Sequence, residues 1–310
     1  MANDISYTTE EIAKILKISK LTVYDLIKKG ELPAYRVGRQ MRVDAEDLEQ
    51  YKHRAKGNPI RTYAKPDEKV QASSGKKTIV ITGQDVSLDI LTKHIEKHTQ
   101  AYRPLRSHVG SLDSLISMYQ GQADLVSTHL LDGDTGVYNV PYIQKLLVGF
   151  PYIVINLVSR AAGFYVQKGN PKQIHHWRDL TRAGVKMVNR EKGSGARVLL
   201  DEQLRILGIS SKEIDGYTHE ESNHLGVAGK VATGQADVGV GIEKAAYLVG
   251  VDFIPFIQER YDLVMIKSPQ NMAWIELVRS ILGSEDFKNE LRSIQGYDLS
   301  LTGKVMIEVE

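Results

Sequence analysis

The run Asn189-Arg190-Glu191-Lys192-Gly193-Ser194-Gly195-Ala196-Arg197 concentrates residue types that can hold an anion. A glycine-rich loop that opens a helix presents free backbone N–H groups, and the helix end adds partial positive charge. Ser194 can add a hydroxyl hydrogen bond, and Arg190 and Arg197 supply permanent charge in a planar fork. Asn189, Gly193 and Gly195 complete the candidate set, which suits a tetrahedral oxyanion. No GK[ST] follows at the spacing of a nucleotide-binding P-loop.

Two earlier loops offer matching groups. Thr82-Gly83-Gln84-Asp85 follows the β-rich run KKTIVIT, and Ser107-His108-Val109-Gly110-Ser111 precedes a helical pattern. Thr82, Gln84, Ser107, His108 and Ser111 are therefore candidate ligand contacts. Asp85 is read as a cap for the helix that follows it. Turned inward, it would favour a ligand with a donor or cationic part, such as a pterin, over a bare oxyanion. His129, His224, Glu243 and Tyr261 form a second tier at expected strand ends. His175 and His176 are adjacent, and His219 and His224 are five apart, so neither pair has the spacing of a zinc helix. No metal-ion site, catalytic residue or cofactor is expected beyond a bound oxyanion.

The elements that must carry these loops come in two similar sets. SLISMYQGQADLVSTHLLD (114–132) reads as helix then buried strand, and GVAGKVATGQADVGVGI (226–242) repeats that order. The tetrapeptide GQAD stands at 121–124 and again at 234–237, each time between a helical pattern and a β run. Twin α/β lobes are the simplest explanation. YIVINLVSR (152–160) reads as a strand crossing into the second lobe, and VDFIPFIQERYDLVMIK (251–267) as the return. Ligands of such folds bind in a cleft at strand ends.

The first 53 residues differ from all of this. Thr8 and Glu11 form a capping-box pair, with Ile12, Ile15 and Leu16 on one helical face. Ser19 caps a second helix that turns Val23, Leu26 and Ile27 inward and ends at Gly30. Lys17-Ile18-Ser19 is a turn of helix-turn-helix length, with Ile18 between the helices. LPAYRV and QMRV make a hairpin around Gly38-Arg39, and Asp44 caps a closing helix with Leu48 and Tyr51 inward. Such a head places the start of its second helix in the major groove and its hairpin along phosphates. The candidate DNA contacts are Ser19, Lys20, Thr22, Tyr24 and Lys28 on the helix, and Arg36, Arg39, Gln40 and Arg42 on the hairpin.

Charge is distributed to match. The net charge is +2, but residues 1–76 carry 15 Lys and Arg against 11 Asp and Glu, a net +4, leaving −2 on the remainder. A polyanion partner for the head alone fits that asymmetry. The absence of cysteine removes disulfides, thiolate metal sites and cysteine nucleophiles. The longest apolar stretch, 146–158, is interrupted by Pro151 and Asn156, and the first residues lack the pattern of a secretion signal. A cytoplasmic protein with no membrane partner is expected. Residues 54–77, with two prolines, several charges and little apolar periodicity, read as a linker or in part as a dimerisation element.

The order ending SKLTVYDLIKKGELPAYRVGRQMRV resembles the excisionase-type winged helix-turn-helix of the MerR superfamily. RSHVGSLDSLISM, HLLDGDTGVYN, VNREKGSGARVLLDEQL, EESNHLGVAGKVATGQADVGVGIE and ERYDLVMI together resemble the periplasmic-binding-protein superfamily. They are most similar to its cytoplasmic branch, fused to helix-turn-helix heads or to molybdopterin-biosynthesis proteins. The resemblance implies an α/β, two-lobed, type II clamshell behind a small winged helix-turn-helix domain. The expected division is 1–53 for the head, 54–77 for the linker and 78–310 for the body. Within the body, lobe one takes about 78–160 and 252–310, and lobe two about 161–251. The function implied is a one-component, dimeric transcriptional regulator that binds double-stranded DNA. Its ligand would be a small anion, molybdate or tungstate, or a pterin-like compound related to the molybdenum cofactor. The alternatives are an enzyme or accessory protein of molybdopterin biosynthesis and a phage-type architectural protein.

Overall fold

The computed structural model describes residues 6–16, 18–28, 32–37, 40–55 and 76–310. The chain divides into two compact units, Met1–Ser73 and Ser74–Glu310.

The first unit comprises β1 (Ser6–Thr8), α1 (Thr9–Leu16), α2 (Lys20–Lys28), β2 (Tyr35–Val37), β3 (Gln40–Asp44) and α3 (Ala45–Ala55). The capping box forms as its spacing predicts: the Thr8 hydroxyl accepts from the Glu11 amide at 3.3 Å, and Glu11 accepts from the Thr8 amide at 2.8 Å. Ser19 accepts from the Thr22 amide at 3.1 Å. Ile12, Val23, Leu32, Val43 and Leu48 form the core, with Ile18 packed against it.

Three local expectations change. Ile15 is exposed, because the α1 face that meets the core centres on Ile12. The hairpin gains a third strand, since β1 pairs with β3 and gives the order β1-β3-β2. Arg42 therefore stands in the central strand, opposite both Thr8 and Tyr35, and donates to the Ser6 hydroxyl at 3.2 Å instead of marking the hairpin tip. Asp44 accepts a hydrogen bond from the Tyr35 hydroxyl at 2.7 Å. Lys17, Gly30, the Gly38-Arg39 tip, the Lys28 side chain and linker residues 56–75 lie outside the described residues.

The second unit is built on one curled sheet. Its elements are β4 (Lys77–Thr82), α4 (Ser87–His98), β5 (Tyr102–Ser107), α5 (Ser111–Tyr119), β6 (Leu125–Thr128), α6 (Val140–Leu146), β7 (Tyr152–Val166), β8 (Met187–Arg190) and α7 (Gly195–Leu207). There follow β9 (Glu220–Glu221), α8 (His224–Ala232), β10 (Val238–Ile242), α9 (Glu243–Val249), β11 (Asp252–Ile266), α10 (Met272–Gly283), α11 (Glu285–Arg292), β12 (Tyr297–Asp298) and β13 (Val305–Val309). The strand order is β5-β4-β6-β11-β7-β10-β8-β9, with β12 and β13 also pairing to β7.

The 15-residue strands β7 and β11 run antiparallel along their whole lengths and serve both lobes. Near-continuous apolar sequence suits β7, which is buried along almost its whole length. In lobe one, β4, β5 and β6 are parallel, and α4, α10 and α11 close a core around Leu91, Trp274 and Phe287. In lobe two, β8 and β10 are parallel beside the far half of β7, with Phe164, Leu200 and Val240 inside.

The repeated tetrapeptide does the same work twice. Gly121 and Gly234 take left-handed φ values of 72° and 71° to end their helices. Asp124 then accepts from the Val80 amide, and Asp237 from the Lys186 amide, both at 2.8 Å. Each aspartate fixes its own strand to the neighbouring one by side chain and backbone together.

Candidate functional site

A cavity of about 350 Å³ lies between the lobes of the second unit. Gln84, Asp85 and Val86 reach it from the loop between β4 and α4; Arg160 and Tyr261 reach it from the two crossing strands. Asn223, His224 and Leu225 come from the start of α8, and Ile242, Lys244, Ala245 and Leu248 from β10 and α9.

Beneath it runs a buried chain of alternating charge. Arg160, 4% exposed, bridges Asp85 through Nη1 and Glu259 through Nε, the latter at 2.6 Å. Glu259 continues to His129 Nδ1 at 3.2 Å. The Arg160 guanidinium also lies over the Tyr261 ring, 4.5 Å from its centroid. Asp85 accepts from the Ser87 amide and hydroxyl and from the Tyr297 hydroxyl besides Arg160. Burial alone would raise the Asp85 carboxyl, but Arg160 and these hydrogen bonds outweigh it and hold its pKa below the usual range. Burial also opposes ionisation of Glu259, yet His129 and Arg160 hold it down to about 2.

The far wall is different. His224 Nδ1 is sealed from solvent without a hydrogen-bond partner. Burial, then the charges of Arg190, Arg160 and His129, push its pKa well below that of a free imidazole, so the ring is neutral near pH 7. Lys244 makes no ion pair among the described residues; its Nζ stands 5.3 Å above the Tyr297 ring. Burial lowers its pKa, with Asp85 pulling back and Arg160 adding to the depression.

Of the residues singled out in the sequence, Gln84, Asp85, His224 and Tyr261 line the cavity, and His129 is joined to the lining residue Arg160 by way of Glu259. Asp85 both receives the first amide of its helix and faces the charge chain. Thr82 is buried with an unpartnered hydroxyl and gives its carbonyl to Ser127 at 3.0 Å. Ser107 ends edge strand β5, His108 is exposed, and Ser111 accepts from the His129 amide at 3.2 Å.

The glycine-rich loop departs from its expected role, because its groups satisfy one another. Ser194 caps α7 at the Arg197 amide and donates to the Glu191 carbonyl. Arg190 pairs with Glu191 at 2.7 Å and with Gln84 across the cleft at 2.7 Å. Arg197 turns to Asp201 and Glu220 and stacks on Tyr217, 4.3 Å from its centroid. Asn189 is buried and donates to the Tyr217 carbonyl at 3.1 Å. Gly193 and Gly195 are contact points between lobes. A Cβ on Gly110 would lie 2.8 Å from the Gly193 carbonyl oxygen, and one on Gly195 would lie 2.3 Å from His129 Nδ1. Glu243 is exposed at the start of α9 and does not line the cavity.

Arg160, Glu259, Lys244 and Tyr297 were not singled out by sequence. The available signal was the lone charge of Arg160 inside an otherwise apolar crossing strand; Glu259 stands in the polar run Gln258-Glu259-Arg260 and carried no such mark. Nothing local marked Lys244.

On the first unit, Ser19, Lys20, Thr22 and Tyr24 are exposed on one end of α2, as are Arg36 and Gln40 on the hairpin. Lys20 is held by Glu10 in an exposed pair of small energetic weight. No helix among the described residues is long and apolar enough to cross a membrane.

Comparison with known proteins agrees with this architecture. The family model described as a helix-turn-helix domain matches residues 6–56, and that of the PBP superfamily domain matches residues 92–282. An uncharacterized protein of Bacillus subtilis (strain 168), YvgK, is 53% identical over 305 residues, 98% of each chain. A hydrogen peroxide-bound mutant of Corynebacterium glutamicum OxyR superposes with a TM-score of 0.51 at 15% identity, covering 93% of this chain and 89% of that one. A Clostridium perfringens protein assigned as a phosphate ABC transporter substrate-binding protein, with phosphate bound, gives 0.52 at 15% identity, covering 72% and 99%. With both lobes, both crossing strands and the matched core in place, the chain belongs to the PBP superfamily and carries a helix-turn-helix domain ahead of its binding body.

Proposed function

We propose that this chain is a ligand-responsive transcriptional regulator: the head reads double-stranded DNA, and the two-lobed body senses a small molecule. The observation that carries the reading is the union, in one chain, of a helix-turn-helix domain with a cleft whose polar groups have bonds left to make. A ligand biases such a body only through differential affinity for two of its states, and the contacts of Gln84 with Arg190 and Glu191 across the cleft are made in one of them. The reading includes a cytoplasmic dimer, since paired half-sites multiply the weak affinity of one small head.

The ligand is proposed to be an anion connected with molybdenum metabolism: molybdate, tungstate or a compound related to the cofactor. Support for an anion comes from Lys244, which lacks an ion pair among the described residues, and from the same fold holding phosphate in the Clostridium perfringens protein. The enzyme reading is weaker on geometry. A Ser–His–acid arrangement would need Ser127 on His129. Ser127 instead bonds the Thr82 carbonyl and the Tyr261 hydroxyl, and His129 bonds Glu259.

The test is DNA affinity of the full chain for the DNA flanking its own gene, measured against salt and with each anion added. Affinity should fall steeply with salt. Arg36→Ala combined with Arg39→Ala should weaken binding at least tenfold at fixed salt. An unchanged affinity in that double variant, with no response to any ligand, overturns the regulator.

A further inference from the structure

We infer that the cleft takes a small organic anion, one carboxylate or phosphate group on an apolar body and no ammonium group beside it. This deepens the sensor reading and rests on it. The acidic groups of the site are already occupied. Asp85 accepts three hydrogen bonds on Oδ1, from the Ser87 amide, the Ser87 hydroxyl and Tyr297, and Arg160 is bound to Oδ2. Glu259 is divided between Arg160 and His129. Arg160 matches the charge of both, and Glu259 does not line the cavity, so neither offers a ligand's ammonium an unmatched charge.

The donors, by contrast, are open. Arg160 is almost fully buried and lines the cavity, and its Nη2 finds no protein acceptor among the described residues. Lys244 lines the cavity and makes no ion pair among the described residues. Asp85 and Glu259 both pair with Arg160, which leaves Lys244 without a carboxylate of its own among the described residues. One anionic group is therefore what these donors can take.

The rest of the lining narrows the proposed anions from molybdate and tungstate to an organic one. The side chains of Val86, Leu225, Ile242, Ala245 and Leu248 carry no polar group. A tetrahedral anion turned toward them would give up water to side chains that return no hydrogen bond. Leu225 is 50% and Leu248 61% exposed, an apolar surface at the cavity mouth that an apolar body would cover. A cavity of about 350 Å³ suits a single ring or short chain.

Calorimetric titration of the full chain with benzoate, phenyl phosphate, L-phenylalanine, inorganic phosphate and molybdate tests this. Benzoate or phenyl phosphate should bind saturably, and which of the two binds tighter tells a carboxylate from a phosphate headgroup. L-phenylalanine, which adds an ammonium beside the carboxylate, should bind at least tenfold more weakly than benzoate. Lys244→Met should weaken the organic anion at least tenfold, and Lys244→Arg should restore most of it; equal affinities in both variants overturn the assignment. Saturable molybdate or phosphate without either organic anion overturns the inference and leaves the sensor standing. L-phenylalanine equal to benzoate overturns it too. Failure of all five ligands, with DNA affinity unmoved by any, sinks both readings.

Discussion

Two loops hold the same place in the twin lobes, one between β4 and α4 and the other between β8 and α7, and they have been put to opposite uses. The lobe-one loop sends Asp85 into the buried charge chain at the cavity floor. The lobe-two loop spends its charges on itself and its neighbours, with Arg190 on Glu191 and Arg197 on Asp201 and Glu220. Its glycines serve as bearings where the lobes touch. Residue types that can hold an anion do so only if nothing closer satisfies them. The GQAD turns show the contrary case: their task is to tie one strand to the next, both lobes need it, and the residues are the same.

The comparison can be broken most severely at Arg160. Arg160→Met leaves Asp85 and Glu259 buried without their counter-ion, which should cost about 3–5 kcal/mol in urea unfolding of the body. Adding Asp85→Asn and Glu259→Gln to that variant should recover most of the loss. Unchanged stability in the single variant would mean that the charge chain does not hold the lobe-one side.

A second effect depends on pH. The Glu259 carboxyl is held near 2 in the folded protein, below its ordinary 4.5, so its contribution is complete above about pH 4.5. It is lost as pH falls from there toward 2, on the order of 3 kcal/mol for a shift of that size. Glu259→Gln should flatten this acid limb in unfolding measured across pH, and an unaltered limb would remove Glu259 as its source.

The smallest effect sharpens the lobe-two side. Ser194→Ala removes a helix cap and should cost about 1 kcal/mol of stability, leaving benzoate affinity within about twofold. A loss of ligand affinity without a loss of stability would return Ser194 to the site.

How far the sequence reached varies with distance along the chain. The Thr8–Glu11 box and the Ser19 cap join residues three apart, and both GQAD turns repeat one tetrapeptide, so each was legible as a pattern. The long crossing strands were legible because an apolar run of that length has few other places to go. Ile15 was not, since periodicity gives a helical face and only packing fixes its centre. The β1 strand was missed because three residues carry too little alternation to be read.

By itself, then, the sequence determined the head, the twin lobes and the two crossings, all of which rest on local hydrogen bonding and on the period of apolar residues. The tertiary structure alone decided which charges meet. Asp85 finds Arg160 across 75 residues, Arg160 finds Glu259 across 99, and Glu259 finds His129 across 130. No local pattern encodes those pairings. A charge in a strand is compatible with many partners, and burial selects the one that folding brings within hydrogen-bond reach.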